Sequence, residues 1–380
     1  MKHPPTLAPL AAPQGVVSRS GRPFPTDMTQ RAQLWESLTA AGIAHGPLPA
    51  DAGDRSPWYV RAMVGIAAWL AAVFLLAFLG IGLSGVLRNA TAAIAIGVGI
   101  CGVAIAVLRL VPANAFVVQL AVASSLAGQG LIAFGLLDHG NWRDAGPWLA
   151  IAAFEIVLIA LAPDYLHRVL STLAAAVAMR MALGALGWAA LFPALLAAVL
   201  VATQGDDSRV LTRGALWTPA ATGLVLALLV LVPSTLVWNE VWGARGASQF
   251  IAVPPWVGTA ALAIVFVVAI ARLLMEARVA WTSSTGAFAL LAALAVVVVA
   301  WPIPGVIVAL LVLLLAFAAG QRVLMGLAIL ALLFAFGHYY YSMQSTLLVK
   351  SAALFATGVL LIGARFLVRF AVPRTKAGHA

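Results

Sequence analysis

Between Arg61 and Arg88 the chain carries no charged residue, and this run, Ala62–Leu87, limits its fold more than any other feature. At 1.5 Å per helical residue, roughly 20 apolar residues cross a ~30 Å hydrocarbon core. Any other backbone conformation there leaves N–H and C=O groups without partners, so the run folds as a helix. Trp58–Gly80 therefore reads as the first membrane span, and similar runs follow it along the chain. The expected class is all-α, a polytopic transmembrane helical bundle.

Composition agrees. Hydrophobic residues make up 63% and charged residues 9% of the chain, where a soluble domain has about 25% charged. The net charge of +10 does not mark a nucleic-acid surface, because the arginines stand singly or in pairs between apolar runs, as the positive-inside rule places them. Lysine occurs only at Lys2, Lys350 and Lys376, and this Arg- and Ala-rich usage suits a GC-rich bacterial genome. The single cysteine, Cys101, excludes an internal disulfide and a thiolate metal cluster.

Residues 1–27, rich in Pro and Ser, read as a disordered tail; no apolar segment follows Lys2, so a signal peptide is not expected. Organised sequence begins at Met28. Thr29–Ala41 sets Leu34, Trp35 and Leu38 against Arg31, Gln33 and Glu36, the pattern of a short amphipathic helix on the cytoplasmic side, ended by Gly42. A linker with Pro47, Pro49 and Pro57 completes residues 28–57. The transmembrane domain is expected over 58–370 and a basic cytoplasmic tail over 371–380.

Twelve spans are expected, at about 58–80, 90–108, 114–137, 147–162, 168–186, 188–203, 215–232, 255–274, 284–300, 303–319, 322–337 and 346–369. Short runs placed close together leave ten or eleven open. With the N-terminus inside, the inner positions collect Arg55, Arg61, Arg109, Arg168, Arg209, Arg213, Arg272, Arg278, Arg322, Arg365, Arg369, Arg374 and Lys376. The outer loops hold only Arg88, Arg143 and Arg245. This bias predicts both ends in the cytoplasm and a multi-pass protein of the inner membrane. Trp238, Trp242 and Trp256 suit an aromatic belt at the outer interface.

Gly97–Gly102 spells GxGxxG, but that fingerprint binds a dinucleotide only between a strand and a helix N-terminus. Inside an apolar run the glycines, like Ser124–Gly128, read as helix-packing surfaces. Glu155 and Arg180 are intramembrane polar candidates on the fourth and fifth spans. An ionised group at mid-bilayer costs at least ~2.5 kcal/mol, and their depths differ by roughly 7 Å, so a structural ion pair is expected. Snorkelling of Arg180 and a proton or substrate relay are the alternatives. Gln119 and Gln129 join these candidates, with interhelical hydrogen bonding the expected role. His338, Tyr339, Tyr340, Tyr341 and Lys350 mark the outer interface, where a ligand-binding rim is the functional alternative.

No catalytic residue, metal site or cofactor is expected. The other five histidines are read as lying in tails or loops, so no pair brackets a haem. The outer loop Asp138–Asp144, together with Glu240, gathers carboxylates, His139 and Arg143 and offers at most a small acidic or metal site.

Three stretches, 34–43 (LWESLTAAGI), 56–80 (SPWYVRAMVGIAAWLAAVFLLAFLG) and 339–362 (YYYSMQSTLLVKSAALFATGVLLI), resemble the bacterial membrane family known as domain of unknown function 4401. The layout is also similar to that of domain of unknown function 2157. The resemblance implies no activity and no catalytic residue. It does imply a neighbour, a small membrane-anchored protein with a GDYxxLxY motif, and hence a membrane protein partner besides the lipid bilayer. The leading expectation is a subunit or scaffold of a membrane assembly. A transporter or flippase with a polar path near Glu155 and Arg180 is the alternative, and a membrane-embedded enzyme the third reading.

Overall fold

A computed structural model describes residues 28–40, 58–82, 89–111, 114–203, 216–232 and 252–342, with single positions at 42, 46, 348 and 351. The chain divides into two compact units, Met1–Pro57 and Trp58–Ala380.

In the first unit, α1 (Met28–Ala40) forms where the short helix is expected. Trp35 and Leu38 are half-buried, while Leu34 is exposed. Gly42 ends the helix: its φ of +70° lies in the left-handed region, and its N–H reaches the Thr39 carbonyl at 3.0 Å. The tail 1–27 and most of the linker lie outside the described residues.

The second unit holds α2 (Trp58–Gly82), α3 (Ala90–Leu110), α4 (Ala115–His139), α5 (Ala145–Leu161) and α6 (Tyr165–Ala185). A 3₁₀ turn (Ala189–Leu191) leads into α7 (Phe192–Thr203). Then come α8 (Leu216–Val232), α9 (Pro255–Glu276), α10 (Ser284–Ala300), α11 (Pro304–Ala318) and α12 (Arg322–Ser342). No strand occurs among the described residues. Each apolar run expected between 58 and 337 is a helix; the last, 346–369, lies outside the described residues, as do Trp238, Trp242, Glu240 and the tail 371–380. Among the described residues, α3, α4, α6 and α9 are able to cross a membrane by length and composition. Large apolar side chains on the outer faces of the helices, among them Val103, Ile156, Ile264, Val298 and Leu330, are more than half exposed. A soluble monomer hides such a surface, whereas lipid covers it.

Helix ends are set by local chemistry. Asn89 and Asn114 accept from the first free N–H groups of α3 and α4, Asp164 does so for α6 and Ser283 for α10. Pro255 and Pro304 stand at the starts of α9 and α11, where a missing N–H costs nothing. Three arginines close helix ends from a distance. Arg109 donates to the Leu161 carbonyl at 2.8 Å and Arg168 to Ile159 at 3.1 Å, both at the end of α5. Arg272 donates to the Val201 carbonyl of α7 at 2.7 Å. Each meets carbonyls that the helix itself leaves unpaired and the negative end of its dipole.

The two halves of this unit pack differently. On α3 the buried residues are Ala93, Gly97, Cys101, Ala104 and Leu108, one small-residue stripe laid on α4. A Cβ on Gly97 would lie 2.6 Å from the Gly128 carbonyl oxygen and 2.7 Å from Ile132 Cγ1, so only glycine permits this approach. Gly99 and Gly102 face open space. The expected packing role therefore belongs to Gly97 among the three glycines, and to Gly128 across the contact. From α7 to α12 the core is larger and built of bulkier apolar side chains, with Phe192, Leu200, Leu228, Leu262, Ile307 and Leu311 wholly buried.

Gly97→Val should destabilise the folded protein by about 1–3 kcal/mol through overpacking. Gly99→Val should stay within ~0.5 kcal/mol of wild type, since it touches nothing. Thermal unfolding in detergent compares the two.

Candidate functional site

The Asp164 carboxylate accepts the backbone N–H of His167 at 2.9 Å, which starts α6 at Tyr165 and carries His167 into the bundle. This corrects the sequence reading of His167 as a loop residue: its side chain is 0% exposed. One turn later on the same face stands Ser171, also 0% exposed. Across from them α4 presents Ser125 and Gln129, spaced by the same single turn.

Ser125 Oγ lies 2.7 Å from His167 Nε2. Gln129 Nε2 donates to Ser125 Oγ at 3.5 Å and to Ser171 Oγ at 3.4 Å. Beside Ser171 lies the carboxyl of Glu155, which reaches in from α5 and is 2% exposed. On the far side, the Cys101 thiol of α3 donates to the Ser125 carbonyl at 3.4 Å and lies 3.9 Å from Ser125 Oγ. Six polar side chains from four helices thus meet in one connected group. Two atoms of it, Glu155 Oε2 and His167 Nδ1, are buried and meet no hydrogen-bond partner. Unpaired buried polar atoms are costly in an apolar interior, and here an acid and an imidazole supply one each.

Of the expected intramembrane residues, Glu155 and Gln129 belong to this cluster. Arg180 does not. It follows Ser171 by nine residues on α6, and at 100° per residue that is two and a half turns, so the two face opposite sides. The Arg180 guanidinium lies over the Phe192 ring at 5.9 Å. The expected Glu155–Arg180 ion pair is absent; matched depth alone does not bring two groups together. Gln119 accepts from Trp69 Nε1 at 3.3 Å, tying α4 to α2 as an interhelical hydrogen bond ten residues from Gln129.

His338 ends its run half-buried, its ring centroid 6.4 Å from that of Phe334. The side chains of Tyr339, Tyr340 and Tyr341, and Lys350, lie outside the described residues. In the 138–144 loop, Asn141 organises a turn by accepting from the Arg143 N–H at 3.1 Å, and Arg143 lies over Trp142 at 5.2 Å. Asp138, His139 and Asp144 are exposed. Among the described residues no group of three or more His, Cys, Asp or Glu side chains is placed to hold a metal ion.

The sequence reading missed His167, Ser125, Ser171 and Cys101 as members of a site. Their signal was polar residues four apart, Ser125/Gln129 and His167/Ser171, in otherwise apolar helices. In a double-mutant cycle Glu155→Gln and Arg180→Gln should couple by less than ~0.5 kcal/mol, as separated residues do. Ser125→Ala and His167→Asn should couple by about 1 kcal/mol, the worth of their hydrogen bond. Unfolding titrations in detergent measure both.

A family model described as Domain of unknown function (DUF4401) matches residues 57–369. No curated protein and no solved structure matches the chain.

Proposed function

The chain belongs to the DUF4401 family, and we propose that it is a multi-pass transport protein of the bacterial inner membrane, with twelve spans and both ends in the cytoplasm. The thirteen inner against three outer cationic positions support this orientation. The polar path runs through α3–α6. One observation carries it: the Glu155 carboxyl and the His167 imidazole, 2% and 0% exposed, are buried at one bundle interface with two hydroxyls and an amide, which join the imidazole to Ser171 beside the carboxyl.

Hydrogen bonding between helices needs only neutral partners such as Gln119 and Trp69. Two ionisable groups in the same interface are far more costly, and ionisable residues inside a membrane mark substrate, ion or proton pathways. The core of α7–α12 shows that the same chain packs helices chiefly with apolar side chains.

Cys101, the chain's only cysteine, lies against this cluster and reports on it. With a path that opens, a small charged methanethiosulfonate should modify Cys101 in native membranes, at a rate altered at least severalfold by Glu155→Gln. Modification only after denaturation would overturn the path.

The subunit or scaffold reading is supported by short connections, such as Gly140–Asp144 and Ala162–Asp164, that leave little chain outside the helices. The neighbour implied by the resemblance supports it too. A pull-down in mild detergent through a tag after Ala380 should then return a stoichiometric membrane protein. A chain that purifies alone and monodisperse would remove that reading and leave the transport reading in place.

A further inference from the structure

We propose that the cluster is a proton-binding switch, in which rotation of the Gln129 amide links protonation of Glu155 to the tautomer of His167. This rests on the polar-path reading and names its substrate as the proton.

The argument follows from where the hydrogens go. One end of the Gln129 amide faces both serine hydroxyls, at 3.5 and 3.4 Å. When that end is the NH₂ group, both hydroxyls accept from it and each has its own hydrogen left to give. Ser125 donates to His167 Nε2, which fixes the neutral Nδ1–H tautomer, and Ser171 donates to the Glu155 carboxylate. When the amide turns by half a revolution, its oxygen faces the serines and accepts from both. Each hydroxyl then accepts from its outer neighbour: His167 becomes the Nε2–H tautomer and Glu155 the carboxylic acid. A hydroxyl has one hydrogen, and the Cys101 sulfur, 3.9 Å from Ser125 Oγ, is only a weak alternative acceptor for it. Intermediate arrangements therefore leave a buried hydrogen bond unmade or exchange a strong one for that weak one.

The balance of the change is one proton. Glu155 gains it from solution. His167 releases its Nδ1 proton and takes one at Nε2, staying neutral throughout, and no heavy atom leaves its place except in the rotated amide. The two atoms without partners, Glu155 Oε2 and His167 Nδ1, are the groups of the pair that the network leaves free for this exchange.

The ionisable groups around the cluster are few. Asp164, which caps α6, and Arg168 on it flank His167, Tyr165 stands in the same first turn, and Cys101 faces the cluster from α3. Arg109 of α3 is held at the Leu161 carbonyl, six residues beyond Glu155 on α5. In α2 the ionisable residues are Tyr59 and Arg61, in its first turn, and in α4 Asp138 and His139, in its last.

The test uses the full chain in lipid bilayers, with ¹⁵N-histidine. Solid-state NMR reads the His167 tautomer, identified by its loss in His167→Asn. Difference infrared spectroscopy reads the protonated carboxyl band that Glu155→Gln removes. In wild type the two should change at one common midpoint as pH is lowered, with His167 passing from Nδ1–H to Nε2–H. Gln129→Leu should abolish the tautomer change while the carboxyl band still titrates. A His167 tautomer that stays fixed while Glu155 titrates, or one that switches in Gln129→Leu, would overturn the proposal. Should Gln129→Leu fail to fold, the coincidence of wild-type midpoints decides. Methanethiosulfonate labelling of Cys101 is read independently, so the path and the switch fail separately.

Discussion

Inside hydrocarbon a polar group has only the rest of the protein to bond to, and this one constraint runs through the whole structure. It makes every described element helical. It also explains how helix ends are treated. Asn89, Asn114 and Asp164 accept from free N–H groups, while Arg109, Arg168 and Arg272 donate to free carbonyls of neighbouring helices. These arginines are the residues whose distribution the sequence reading used to orient the chain. The same side chains also finish the carbonyl ends of neighbouring helices.

The constraint also explains the contrast between the halves. Close approach of backbones requires small residues, and Gly97 against Gly128 brings α3 and α4 so near that Cys101 reaches Ser125. A short interhelical distance lets short side chains such as serine bridge between helices. Around the apolar core of α7–α12, larger side chains hold the helices, and no comparable polar group is buried there among the described residues; Thr259 bonds back to its own helix at Pro255.

Helix positions were legible because burial in lipid needs only a long apolar run, and Ala90–Leu110 or Ser284–Ala300 contain little else. The site was legible only in part. Glu155 stood out because a carboxylate interrupts such a run. Ser125 and Ser171 did not, since serine is common in membrane helices and its role depends on what faces it. His167 was hidden by a boundary: Pro163 suggested a longer loop, and the cap supplied by Asp164 starts the helix two residues before the histidine. The Arg180 pairing failed for a rotational reason, because depth follows from counting residues while facing depends on which side of α6 the count ends.

The paired spacing of polar residues has a consequence for biogenesis. Ser125 meets His167 and Gln129 meets Ser171 in the same sense along α4 and α6. Sliding α6 by one turn, about 5.4 Å, would set Ser171 against Ser125 and Gln129 against Ala175, stranding the imidazole. Sliding it the other way would set His167 against Gln129 and strand Ser125. A newly inserted chain that docks these helices one turn out of step therefore presents unbonded polar groups inside the bilayer. The paired bonds thus fix the register of α4 against α6 to a single turn, a constraint that a seam of alanines and leucines does not impose.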